Sequence, residues 1–165
     1  IRLVLEHSDK SVVSLEKELE ALRFYLELES LRVKGKFRYE IVVGDEVDVF
    51  ATQVPAMILQ PFVENAIWHG LMSLKVPGKV MVSIEKVEQG IRMIVEDNGI
   101  GRKASRAMNE WREHASVGIG LTEARVHAVA GGTGKNVSYV KIEDLFDETG
   151  AAAGTRVIIL IPGDL

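Results

Sequence analysis

The sequence predicts an α+β fold in which helices cover one face of a mixed, mostly antiparallel sheet. Two patterns lead to this prediction: leucines at helical spacing near the start of the chain, and short segments of alternating apolar and polar residues further on. The patterns indicate about three helices and five strands, which follow one another in mixed order. A two-layer α/β sandwich is the simplest arrangement that buries one face of each element.

Three segments carry the predicted helices. The first has an apolar stripe at spacings of three and four residues: Val12, Leu15, Leu19, Leu22 and Leu26. We expect its cap within residues 8–11, at Ser8, Asp9 or Ser11, and its end at Gly35. The second begins at Pro55 and stops at Gly70. Its core stripe is Leu59, Phe62, Val63, Ala66 and Ile67. The third spans residues 121–130.

Alternation of apolar and polar residues marks the strands. Residues 36–43 alternate and end at a Gly-Asp pair, which predicts a half-buried strand. Residues 79–96 form two such runs around Gln89-Gly90, which predicts a hairpin. Residues 137–142 and 155–161 are the last two predicted strands, around a loop of small residues.

Composition narrows the class of protein. The chain has 165 residues, no cysteine and a formal net charge of −4. The lack of cysteine excludes a disulfide framework, a thiolate zinc site and cysteine catalysis. The acidic balance argues against nucleic acid as a partner. No apolar run approaches the length that spans a bilayer, and no signal peptide is visible. Because the chain does not begin with Met, we expect a fragment, and these features together predict a soluble, intracellular piece of a larger protein.

The first motif that could carry chemistry is residues 61–70. Asn65 and His69 are four residues apart and lie on one flank of the apolar stripe, whereas Glu64 points to the other flank. Polar groups beside a buried stripe are costly unless they are paired or used. Two interpretations stay open: a binding site, or side chains that bond to neighbouring backbone.

Two glycine-containing motifs follow. In Asp97-Asn98-Gly99-Ile100-Gly101 an acid ends an apolar strand, where it could accept hydrogen bonds from an amino group; the alternative is a solvated turn. Gly118-Ile119-Gly120-Leu121 opens the third predicted helix, and free N–H groups there favour an anion; the alternative is a plain helix entry. Between them, the net-basic segment 102–117 is either a lid over phosphates or a surface helix.

Together and in this order, the three motifs resemble the N, G1 and G2 boxes of the GHKL ATP-binding superfamily, and most of all the LytS-like sensor histidine kinases. Further matches are Arg125, the stretch Gly154-Thr155-Arg156-Val157, and the helix over residues 13–32. The likeness spans nearly the whole chain. It implies the two-layer GHKL sandwich with a lid over the nucleotide, and ATP and Mg²⁺ as cofactors.

The resemblance also implies roles for residues. Asn65 is the implied Mg²⁺ ligand, which suits a hard cation that also binds nucleotide phosphates. Asp97 is the implied partner of the adenine amino group, with Thr155 contributing through a water. His69 is expected near the phosphates or the ribose.

The implied roles of the glycines concern the backbone. Gly99 and Gly101 let the chain pass the base and form the first hinge of the lid, and Gly118 and Gly120 cradle phosphates together with Leu121.

Glu64 resembles the acid that acts as general base in the hydrolysing relatives, and with Asn65 it is a predicted catalytic residue. In a kinase the nucleophile is a histidine instead. Two positions depart from the family pattern, because Glu123 stands where Asn is usual and His127 where Arg is usual. The family's phosphoacceptor motif, of Pro-His-Phe type, does not occur in this sequence, and His7 lacks its context.

We therefore expect residues 11–165 to be the catalytic ATP-binding domain of a two-component sensor histidine kinase, and residues 1–10 to be the tail of its upstream dimerisation segment. The implied enzyme is a protein-histidine kinase at the cytoplasmic side of an inner membrane. Its expected partners are its own phosphoacceptor domain, a second copy in a homodimer and a response regulator. The alternatives are a non-catalytic nucleotide-binding module, a GHKL ATPase or an anti-sigma-type serine kinase.

Overall fold

The computed structural model describes residues 12–107, 114–129 and 139–163. In chain order its elements are β1 (Val12–Ser14), α1 (Leu15–Arg32), β2 (Phe37–Val43), β3 (Gln53–Pro55), α2 (Gln60–Asn65) with a π-helical continuation (Ala66–Leu71), β4 (Gly78–Val87), β5 (Gly90–Asp97), α3 (Gly101–Ala107), α4 (His114–Val129), β6 (Val140–Phe146) and β7 (Ala152–Pro162). The described part of the chain thus has more elements than the sequence predicts.

Five strands form the main sheet, in the order β2-β4-β5-β7-β6. β2 runs parallel to β4, and every other neighbouring pair is antiparallel. Two short strands, β1 and β3, pair antiparallel in a separate sheet, with Val13 opposite Val54. The predicted fold class is confirmed, including the mixed but mostly antiparallel sheet.

Helix α1 buries the predicted leucine stripe, with one exception at its start. Leu15, Leu19, Leu22 and Leu26 are at most 2% exposed. Val12 is 45% exposed and lies in β1, so its assignment to the helix is wrong. The helix begins after Ser14, whose hydroxyl accepts from the Lys17 N–H at 3.4 Å. A cap at Ser14 is therefore observed, while the predicted cap within residues 8–11 lies outside the described residues.

The second helix starts later than predicted. Pro55 ends β3 opposite Val12, so its placement at the helix start is wrong. Pro61 occupies the first turn of α2 instead, where its missing N–H costs nothing. Ahead of this helix the buried carboxylate of Glu18 accepts from the N–H groups of Met57 at 2.8 Å and Leu59 at 3.2 Å. This contact from α1 satisfies two backbone donors just ahead of the helix.

The predicted stop at Gly70 is also wrong. After Asn65 the chain continues through Gly70 to Leu71 with wider, π-helical turns. The residues of the predicted stripe, Leu59, Phe62, Val63, Ala66 and Ile67, are all buried. Such π-helical turns often occur at functional sites, and this one carries His69 and Gly70.

The hairpin of β4 and β5 is confirmed, with Val87 opposite Gly90 at its turn. Near the end of the chain the predicted bounds of one helix and two strands are wrong. α4 begins at His114 rather than at residue 121. β6 extends to Phe146, beyond the predicted end at 142, and β7 begins at Ala152, so it includes part of the predicted small-residue loop.

The hydrophobic core fills the space between the helices and one face of the sheet. From the helices it takes the stripes of α1 and α2, and from the sheet it takes alternate residues of the central strands. The fully buried sheet residues include Val80, Val82, Ile84, Met93, Ile159 and Ile161. Within the described ranges no helix combines the length and apolar character that crossing a membrane requires.

Candidate functional site

A cleft between the helices and the sheet contains a small cavity of about 30 Å³. It is lined by Phe62, Asn65, His69, Gly70, Asp97, Gly101, Arg102, Ser105, Ile142, Thr155 and Val157. Five of the predicted site residues thus line one cavity, although they come from distant parts of the sequence: Asn65, His69, Asp97, Gly101 and Thr155.

Asp97 lies at the end of β5, deep in the cleft. Its side chain is 6% exposed, and its Oδ1 accepts from the Gly99 N–H at 2.8 Å. The backbone of Thr155, directly opposite on β7, also contributes a hydrogen bond. Burial nevertheless dominates and raises the pKa of Asp97 to about 6. Near neutral pH this carboxylate is a desolvated acceptor, which suits recognition of an amino group.

Glycines surround Asp97, and close packing leaves no room for a side chain at three of them. A Cβ on Gly70 would lie 2.8 Å from Asp97 Oδ1. At Gly99 a Cβ would overlap the Gly70 carbonyl oxygen, and at Gly154, where φ is +128°, it would overlap the Asp97 carbonyl oxygen. The roles of Gly70 and Gly154 were not predicted. Their only sequence signal is the presence of glycine in or beside a motif.

Asn65 and His69 enter the cleft from the helical side. Asn65 is the last residue of α2 and His69 belongs to the π-helical continuation; both are half-buried and line the cavity. The described residues contain no group of three or more acidic or histidine side chains able to hold a metal alone. An amide oxygen that shares the ion with nucleotide phosphates fits Mg²⁺, which keeps few protein ligands. Asn65 is therefore suited to the metal that the resemblance implies.

Glu64 lies away from this cavity. It is exposed, is not among the lining residues, and acts electrostatically on Tyr25 of α1. Burial, together with the charges of Glu64 and Glu29, raises the pKa of the Tyr25 hydroxyl to about 12. The structure therefore does not bring Glu64 together with the residues that line the cleft. This agrees with the sequence pattern, which places Glu64 on the flank opposite Asn65 and His69.

The G2-like residues lie inside a helix. Because α4 begins at His114, Gly118 and Gly120 do not open a helix, and this part of the prediction is wrong. Leu121 is 40% exposed, and a Cβ on Gly120 would contact nothing within 4 Å. Their implied contact with phosphates stays a prediction. The predicted lid, residues 102–117, includes 108–113, which lie outside the described residues.

Arg102 begins the net-basic segment 102–117, for which the sequence leaves open a lid over phosphates or a surface helix. It lines the cleft, but its guanidinium binds Asp144 of β6, with Nε–Oδ1 at 2.6 Å and Nη2–Oδ2 at 2.8 Å. Sequence reasoning missed Asp144, because two residues 42 positions apart carry no local signal of pairing. It also missed Ser105, which is 4% exposed on α3.

The chain has the fold of histidine kinase catalytic domains. The solved catalytic domain of histidine kinase ThkA matches it with a TM-score of 0.58 at 16% identity, covering 92% of this chain and 95% of that chain. Histidine kinase AdeS of Acinetobacter baumannii matches with a TM-score of 0.52 at 15% identity, covering 92% of this chain and 66% of that chain. The predicted resemblance to the GHKL fold is thereby confirmed.

Sequence similarity points to one group within that class. Over 102 residues the chain is 39% identical to the sensor histidine kinase/phosphatase LytS of Staphylococcus aureus, as in strains Mu50 and N315. The match covers 61% of this chain but only 17% of LytS. No family model matches the chain. The predicted similarity to LytS-like kinases is confirmed over this part of the sequence.

Proposed function

We propose that this chain is the catalytic, ATP-binding domain of a sensor histidine kinase and donates the γ-phosphoryl group of ATP to a histidine on another segment. The observation that carries the proposal is the cleft around Asp97. Its walls combine a buried carboxylate acceptor, closely packed glycines, an amide and an imidazole. Similarity to LytS and the fold shared with ThkA support the same activity.

Each part of the cleft has a role in this proposal. Asp97 accepts hydrogen bonds from the exocyclic amino group of the base, and Thr155 assists beside it. Asn65 holds Mg²⁺ through its amide oxygen, and His69 faces the phosphates or the ribose. The metal, when bound, neutralises charge that develops on the phosphoryl oxygens. Catalysis of such transfers depends mainly on positioning and charge stabilisation, which a cleft of this composition can supply.

The partners follow from the same proposal. The phosphoacceptor histidine lies on the kinase's own dimerisation segment, and the phosphoryl group passes on to a response regulator. One structural relative is a complex of the kinase ThkA with the response regulator TrrA, matched with a TM-score of 0.54 at 17% identity and covering 98% of this chain and 45% of that chain. We further propose a homodimer in which this domain faces the cytoplasm and the full protein is anchored in the inner membrane.

Calorimetric titration of ATP, with and without Mg²⁺, tests the nucleotide site. We expect metal-dependent binding that Asn65→Ala abolishes, because the amide oxygen is the metal's ligand from this chain. Gln60→Ala is the matched control, since it removes an amide from the same helix but outside the cleft lining. Absence of ATP binding by the unaltered chain would contradict the proposal. Steady ATP turnover by the chain alone would favour the ATPase alternative.

A further inference from the structure

Three side chains form a row across the sheet where the cleft contains Asp97, the proposed partner of the nucleotide base. We call this part of the cleft the base end. Thr155 of β7 is directly opposite Asp97 on β5 and directly opposite Asp144 on β6. Directly opposed residues of antiparallel strands project from the same face of a sheet. The two carboxylates therefore flank Thr155 on the face that forms the cleft, with Asp97 buried and Asp144 nearer the edge of the sheet.

The outer carboxylate is bound by the helix that follows the Asp97 motif. Both oxygens of Asp144 accept from Arg102, at 2.6 and 2.8 Å, in a two-pronged ion pair. The two side chains are 21% and 28% exposed, so solvent screens this pair less than a fully exposed one. A two-pronged arginine–carboxylate pair also fixes the orientation of the guanidinium.

A second contact holds the same end of helix α3. Gly101, the first residue of the helix, has φ of +78°, and a Cβ there would lie 3.1 Å from the Cβ of Ala152 on β7. The backbone of α3 thus begins against β7, and its second residue is bound to β6. The first turn of α3 is attached to two neighbouring strands beside the cleft that Gly101 and Arg102 line.

We propose that Arg102 and Asp144 are positioning residues, which hold the first turn of α3 over the base end of the cleft and so slow nucleotide release. This inference rests on the proposed ATP site. It assigns to Arg102 a role at the base rather than at the phosphates. Neither residue takes part in phosphoryl transfer; each acts by keeping the wall of the cleft in place.

The test compares nucleotide affinity and release in Arg102→Met, Asp144→Asn and the double variant. We expect each single change to weaken ATP binding about 5-fold, the scale of one partly exposed, charge-assisted ion pair, through faster dissociation. AMP binding should weaken by the same factor, since the ion pair acts at the base. The double variant should lose no more than either single variant, because both remove one interaction.

Arg156→Met is the matched control. Arg156 is next to Thr155 on β7 and pairs with Glu96 at 2.7 Å, on the opposite face of the same strands. The substitution removes the ion pairs of Arg156 with Glu96 and Glu143 without reaching the cleft, so the nucleotide affinity of this variant should be unchanged.

The outcomes separate the two proposals. If the unaltered chain does not bind ATP, the proposed function and this inference both fail. If the unaltered chain binds ATP but Arg102→Met and Asp144→Asn release it no faster than Arg156→Met does, only the inference is overturned. The inference is also overturned if the variants weaken ATP binding but not AMP binding, because Arg102 would then act on the phosphates. Additive losses in the double variant would exclude a shared interaction.

Discussion

Replacing Asp97 by Asn should stabilise the fold at neutral pH and weaken nucleotide binding at the same time. The Asp97 carboxylate is 6% exposed, and burial raises its pKa to about 6 from an ordinary value of 3.8. The ionised side chain therefore destabilises the nucleotide-free fold above pH 6. An amide of the same shape carries no charge and can still accept from the Gly99 N–H.

The magnitude follows from the two pKa values. One pKa unit is worth about 1.4 kcal/mol, so the ionised carboxylate costs about 3 kcal/mol of folding free energy at pH 7.5. Between pH 6 and 3.8 the folded chain binds more protons than the unfolded chain does. The free energy of unfolding contributed by Asp97 therefore rises as the pH falls, and at pH 5 about half of the cost is gone. The Asp97→Asn variant should have no such dependence.

The affinity of Asp97→Asn for ATP should fall, although its stability rises. A hydrogen bond to a charged group is worth about 1.5–3 kcal/mol, so loss of the carboxylate should weaken ATP binding about 10- to 100-fold at pH 7.5. In the unaltered chain, ATP affinity should fall as the pH drops through 6, because a protonated Asp97 accepts fewer hydrogen bonds.

Urea denaturation at pH 7.5 and pH 5 measures the first effect, and calorimetric titration with ATP measures the second. Asp45→Asn, at an exposed turn, is the control for removal of a negative charge. We expect Asp97→Asn to be more stable than the unaltered chain at pH 7.5, with a smaller gain at pH 5. A less stable variant with unaltered ATP affinity would refute both the burial argument and the placement of the base.

Three further substitutions test the packing beside Asp97 and two hydrogen bonds that support the helices. Gly154→Ala should destabilise the fold by more than about 3 kcal/mol in urea denaturation, since its Cβ would collide with the Asp97 backbone. The control Gly35→Ala, at φ of +73° in open space, should cost about 1 kcal/mol. Equal losses in the two variants would contradict the close approach of Gly154 to Asp97. Glu18→Ala should cost about 2–4 kcal/mol by the same measurement, and Glu18→Gln less, because two backbone donors lose their acceptor. Ser14→Ala should lower the melting temperature modestly, by the loss of about 1 kcal/mol of helix capping, and an unchanged value would show that the cap is not used.

Alternation of apolar and polar residues, together with the turn residues between the segments, was enough to predict most of the sheet. The alternation from Phe37 to Val43 and the hairpin around Gln89-Gly90 are local patterns, and the structure has both where they were expected. The stripe of α1 was recognisable for the same reason. Its start was not, because Val12 continues the apolar spacing although it pairs with Pro55 in a strand.

Errors arose where long-range contacts override local signals. Pro55 and Pro61 carry the same local preference for a helix start, and pairing with β1 decides which of them begins the helix. Glycine usually ends a helix, but Gly70 stays within one because only a residue without Cβ can pack against Asp97.

The candidate site could be predicted in part because its motifs are short and separate. Asn65 and Asp97 stand out locally and the family resemblance adds Thr155. All three line one cleft, in which the sheet register places Asp97 opposite Thr155. The ion pair of Arg102 with Asp144 could not be predicted, since neither residue has a distinctive neighbourhood and only the order of the strands places β6 beside β7.

Phosphotransfer to a separate histidine-bearing segment is the direct test of the proposed kinase activity. The chain is mixed with radiolabelled ATP, Mg²⁺ and the dimerisation segment of a LytS-like kinase, and acid-labile phosphate on the segment's histidine is measured. We expect labelling that requires Mg²⁺ and is lost in Asn65→Ala and strongly reduced in Asp97→Asn. ATP binding without any transfer would contradict the kinase assignment and leave a nucleotide-binding module.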